Sequence, residues 1–106
     1  MSVTFYDRSA EVIDQATWQA RVKDASYVVL SDDRVPSPDG EFRVYTLWQG
    51  VDFSLGKEPV PQIFQTIVER AGRAAAERVV YAATEAAALT AHAEVVDQLR
   101  AGLVPA

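Results

Sequence analysis

One histidine, a pair of adjacent aspartates and a polar loop are the groups in this chain of 106 residues whose types and spacing could do chemistry. His92 is the single histidine, and imidazole is the side chain that ordinarily titrates near neutrality. It lies in an apolar helical stripe, which leaves two readings open. The ring is a general base or ligand contact, or it is a packed ring hydrogen-bonded to a backbone carbonyl or a tyrosine hydroxyl. No nucleophile stands at a recognisable spacing from it, and that favours the packed ring. Asp32-Asp33-Arg34 is the densest acidic spot. Successive strand side chains point to opposite faces, so these carboxylates cannot share a cation without a bulge. A solvated hairpin end is expected there, not a metal site.

The segment Gly50–Pro61 sets Asp52, Ser54, Lys57 and Glu58 beside Phe53 and Leu55. Its glycines lack the order of a phosphate cradle, with neither GxGxxG nor a P-loop pattern present. Asp52 and Ser54 suit local turn bonds to backbone amides. Phe53 and Leu55 suit anchors for a partner, because the loop is longer than a hairpin needs and surplus loop length is often functional. The expected partner-binding loop is therefore Asp52, Phe53, Ser54, Leu55, Lys57 and Glu58, acting with the neighbouring acidic hairpin end. The alternative is a small-ligand pocket of nucleotide type between the last helix and the sheet, with His92, Tyr45 and Tyr81 as polar contacts. The chain has no cysteine, which excludes thiolate chemistry and cysteine zinc sites, and a single histidine excludes sites needing two imidazoles. No catalytic residue, cofactor or metal site is assigned, and a non-enzymatic protein is expected.

The elements that must hold these groups can be read from periodicity. Val3–Tyr6 reads as a short strand, and Asp14 as the N-cap of a helix from Gln15 to Lys23 with Trp18 and Val22 on one face. Tyr27 opens a β-rich run that continues to Val35, and Pro36-Ser37-Pro38-Asp39-Gly40 is a turn. From Glu41 to Gln49 the even positions Phe42, Val44, Thr46 and Trp48 share one face and Arg43, Tyr45 and Leu47 the other. Both faces carry aromatic or aliphatic groups, so a central strand covered on both sides is expected. Trp48 facing Trp18 across the core is a natural packing. Gln62–Glu69 alternates cleanly after Pro61, Glu77–Ala83 is a weaker strand, and Thr84 caps a final helix over Glu85–Ala101 ended by Gly102. Its apolar stripe is Leu89, His92, Val96, Leu99 and Leu103. The order β-α-β-β-β-β-α implies one α+β domain over residues 1–106. It is an antiparallel, mostly meander sheet of about four to five strands with a short N-terminal and a longer C-terminal helix on one face.

Formal net charge is −5, with nine acids against five bases before Ser54. No basic run exists to neutralise phosphates, so nucleic acid is not an expected partner. Neither a signal sequence nor an apolar run approaching ~20 residues is present, so no membrane is expected and the cytoplasm is the expected compartment. An exposed first or last strand could pair two copies, but the sequence leaves oligomeric state open.

These residues reach one resemblance. Tyr6-Asp7-Arg8, Trp18, Val44, Thr46, Trp48, Gly50, Asp52, Gly56, Pro61, Ile63-Phe64, Thr66, Val68 and Ala88-Leu89-Thr90-Ala91-His92 run in order along nearly the whole chain. This resembles short proteins of actinobacterial (mycobacteriophage-like) bacteriophages and related prophages, a group without an assigned activity. Phe53 stands where those proteins often carry histidine, and Gln65 where they carry glutamate. The resemblance implies a phage accessory protein that binds a host or phage protein, with a minor virion component as a further alternative.

Overall fold

Alternation in the middle of the chain decides the architecture. In the computed structural model, which describes residues 3–38, 40–73 and 75–102, Phe42, Val44, Thr46 and Trp48 are all buried. Their strand, β4 (Gly40–Trp48), lies inside a four-stranded antiparallel meander with β3 (Val29–Ser37), β5 (Phe64–Arg70) and β6 (Ala76–Ala82), in the spatial order β3-β4-β5-β6. The odd residues of β4 are not covered by a helix. Arg43 is exposed, and Tyr45 and Leu47 are half-buried. The expectation of cover on both sides is corrected: the sheet has one closed and one open face. A clean period of two is what such a half-solvated antiparallel sheet requires.

Helix α3 (Glu85–Arg100) covers the closed face. The Thr84 hydroxyl accepts from Ala87 N at 3.1 Å, as a capping threonine should. Its buried stripe is Ala88, His92, Val95, Val96 and Leu99. Leu89, expected in that stripe, is 39% exposed, because the stripe is centred nearer Val95. Leu103, Pro105 and Asp39 lie outside the described residues.

Two further elements precede the sheet: a two-stranded ribbon of β1 (Phe5–Tyr6) and β2 (Val12–Ile13), then α1 (Gln15–Val22) and one helical turn, α2 (Ala25–Val28). Asp14 caps α1 through Thr17 N. Tyr27 and Val28, expected to open the strand, belong to α2, because the Asp24 carboxylate caps Ser26 N and winds the chain first. Trp18 and Trp48 anchor this corner. The Trp48 indole donates to Tyr6 O at 3.1 Å and the Trp18 indole to Gln49 O at 2.9 Å. Gly50 passes between them at φ 72°, and a Cβ there would lie 2.6 Å from the Trp48 ring and 2.8 Å from Trp18.

The apolar core falls into two clusters. One is Val35, Phe42, Val44 and Val68 under Val95, Val96 and Leu99. The other is Trp48, Ile63, Phe64, Ala82 and Ala88, against which Tyr6, Ile13, Trp18 and Tyr27 pack. Between them lies a buried polar layer of Thr46, Thr66 and His92. No helix among the described residues is long and apolar enough to cross a membrane.

Candidate functional site

The loop between β4 and β5 is built around one carboxylate. Asp52 Oδ1 accepts from Ser54 N at 2.9 Å, Ser54 Oγ at 2.7 Å and Gln62 N at 2.9 Å, while Oδ2 accepts from Gly56 N at 3.1 Å. The backbone closes the neck, with Phe53 N donating to Gln62 O at 2.9 Å. These donors, the Gln62 amide foremost and then Ser54, hold the Asp52 carboxyl down at about 2. The local turn bonds expected of Asp52 and Ser54 are therefore present, and they stiffen the loop.

What the loop presents is Leu55. It is 85% exposed and sits at φ 54°, in a region that leucine rarely adopts. Phe53 turns inward, its ring stacked on Tyr81 of β6 with centroids 4.9 Å apart. Lys57 and Glu58 are exposed on the far limb. Beside the crest lies an open, mostly apolar hollow of about 710 Å³, lined by Val3, Tyr6, Val51, Phe53 and Leu55 among others. Val3, Tyr6 and Val51 were not foreseen as site residues. Their place depends on the ribbon docking through Tyr6 N to Gly50 O at 2.8 Å, a long-range bond with no sequence signal.

The expected helix–sheet pocket is corrected. His92 points into the closed face, whereas Tyr45 and Tyr81 stand on odd positions of the open face, so the sheet lies between them. The space beneath α3 is filled by the core. Tyr45 instead donates a hydrogen bond to Glu69, and its hydroxyl is pushed up to about 12, by burial first and then by that carboxylate. Arg43 lies over the Tyr45 ring, 4.3 Å from its centroid.

His92 is packed, as the simpler reading had it, but with other partners. Its Nδ1 lies 2.9 Å from Thr46 Oγ1, which lies 2.7 Å from Thr66 Oγ1, and its Nε2 lies 2.6 Å from Asp33 Oδ2. With the proton assigned to Nε2, the imidazole donates to Asp33. Thr46 then donates to Nδ1 and Thr66 donates to Thr46, so every member is satisfied. The order hydroxyl–imidazole–carboxylate matches a hydrolase relay, but Thr46 is 0% exposed and no substrate can reach it. Among the described residues, no buried side-chain nitrogen or oxygen lacks a hydrogen-bond partner.

Asp32 and Asp33 do diverge to opposite faces. Asp32 pairs with Arg43 at 2.8 Å on the open face, and the Arg43 hydrogen bond lowers its carboxyl. They are not at a hairpin end, however. Both lie mid-strand in β3, whose turn with β4 closes at Ser37–Gly40. That turn and the Gly50–Pro61 loop lie at opposite ends of β4, roughly 30 Å apart at strand rise. The acidic pair lies between these ends, opposite Tyr45 and Val44 on the edge strand β3, and not at the hairpin end that was expected to act with the loop.

Set against models of protein families, curated proteins and solved structures, the chain matches none.

Proposed function

We propose that this chain is a small binding protein that grips a protein partner with the crest of the Gly50–Pro61 loop, Leu55 being the anchor. The observation that carries this is the conformation of Leu55. A leucine at positive φ costs of order 1 kcal/mol against glycine, and here the exposed side chain returns no packing for it. Asp52 holds the loop in that shape before any partner arrives, which lowers the ordering cost of association. The hollow beside Leu55 offers room for an apolar group of the partner, and Lys57 and Glu58 supply a polar rim.

In line with the resemblance to actinobacterial phage proteins, the partner we propose is a host or phage protein. A ligand pocket around His92 has no geometric support, since that ring is enclosed by Asp33 and Thr46. The test is capture from an actinobacterial host lysate, with wild type and Leu55→Asp immobilised side by side and circular dichroism confirming that both are folded. A partner retained by wild type and lost with Leu55→Asp supports the reading. Equal capture by both, or none by wild type, overturns it.

A further inference from the structure

The two edges of the main sheet are unlike. On β3 the edge carries Asp32, Asp33, Arg34 and Pro36, the charges and proline that deter strand pairing. On β6 the edge reads Ala76-Glu77-Arg78-Val79-Val80-Tyr81-Ala82, with no proline and four apolar residues in succession. In the sheet order β6 has a neighbour on one side only. Val79 is 38% and Tyr81 48% exposed. The sheet register also leads its apolar surface to this edge. Tyr45, Ile67 and Val79 form one cross-strand row on the open face, and Leu47, Gln65 and Tyr81 the next.

We propose that β6 pairs antiparallel with β6 of a second copy about a twofold axis through Val80, joining two sheets into one of eight strands. The occupant is argued from self-complementarity. Directly opposed residues in an antiparallel pair share a face. Centring on Val80 therefore sets Val79 against the partner's Tyr81, twice, on the open face, and Val80 against the partner's Val80 on the helix face. An aliphatic–aromatic pair is a favourable cross-strand combination. The apolar row Tyr45–Ile67–Val79 becomes continuous across the axis. β3 offers no such match, because its central residues Asp32, Asp33 and Arg34 are charged. An isologous dimer is also the commonest closed assembly. The loop borders this edge, with Phe53, Leu55, Lys57 and Glu58 lining one hollow with Val79, Val80 and Tyr81, and the test below reads the pairing with no loop partner present.

The test is the oligomeric state by sedimentation equilibrium over a range of concentration, with two double variants that read the register. In Val79→Lys/Tyr81→Lys every cross-axis pair becomes lysine against lysine. In Val79→Lys/Tyr81→Glu every such pair becomes lysine against glutamate. Both positions are exposed in the single chain, and circular dichroism verifies folding. The expected result is a dimer for wild type, its loss in the lysine–lysine variant and its recovery in the lysine–glutamate variant. A monomeric wild type overturns the proposal. So does a dimer that persists in the lysine–lysine variant, or loss in both folded variants.

Discussion

Replacing Asp52 by asparagine keeps its size and one acceptor oxygen but removes the charge that organises the loop. A carboxyl held at about 2 against an ordinary 3.8 corresponds to about 2.5 kcal/mol of folded-state preference for the ionised form. Asp52 is only half-buried, and solvent screening reduces that figure to about 1 kcal/mol at neutral pH. The sign follows from the direction of the shift. A carboxyl whose pKa is depressed by folding contributes fully above its unfolded value, near 4, and loses that contribution as pH falls toward 2. Urea unfolding of wild type and Asp52→Asn from pH 7 down to pH 2 should therefore show wild type ahead by about 1 kcal/mol at neutrality. The two curves should converge in the acid range. Asp14, Asp24 and Asp32, also lowered by their hydrogen bonds, are common to both proteins and cancel in the difference. A difference that does not vary with pH, or is absent at pH 7, would refute the view that the charge on Asp52 holds the loop.

Other perturbations probe the remaining parts. Gly50→Ala should cost about 3 kcal/mol or more in chemical unfolding, since its Cβ would overlap Trp48, Trp18 and the Tyr6 carbonyl at positive φ. Thr46→Val keeps the shape but strips His92 and Thr66 of a partner, so a loss of about 1–3 kcal/mol is expected by the same assay. Leu55→Gly relieves the backbone and removes an exposed side chain. Thermal unfolding should show it as stable as wild type or up to about 1 kcal/mol more so, while partner capture is lost. Absorbance titration of the tyrosines should contain a phase near pH 12 that is missing from Tyr45→Phe.

The main sheet and α3 were legible because their signals are local and repeated. Phe42 to Trp48 alternates over a full strand, Thr84 and Gly102 bracket a helix, and Pro61 marks where β5 can begin. Of the ribbon, β1 fell within the strand read at Val3–Tyr6, but β2 was not legible, because two residues are too few to show a period, and the ribbon's place depends on Tyr6 meeting Gly50 across the fold. At α2, the β-branched and aromatic character of Tyr27-Val28 was outweighed by a capping carboxylate one turn earlier. At the site, the loop and its carboxylate could be read from length and composition. The backbone angle of Leu55 could not, since nothing in the sequence marks a leucine for the left-handed region. Assigning Tyr45 and Tyr81 to one pocket with His92 failed on a matter of sides. Odd residues of β4 and β6 share a face with each other but not with α3.

The threonine–histidine layer between the two apolar clusters has a consequence for how α3 finds its seat. Apolar surfaces alone are indifferent to sliding, and a shift of one turn, about 5.4 Å, would set Ala88 or Val96 where the imidazole now lies. Either residue would leave the hydroxyls of Thr46 and Thr66 enclosed without the ring that completes their chain, at about 1–3 kcal/mol for each orphaned group. Mis-seated helices are thereby raised in energy relative to the native one. The layer acts as a detent in the landscape, widening the gap to near-native competitors.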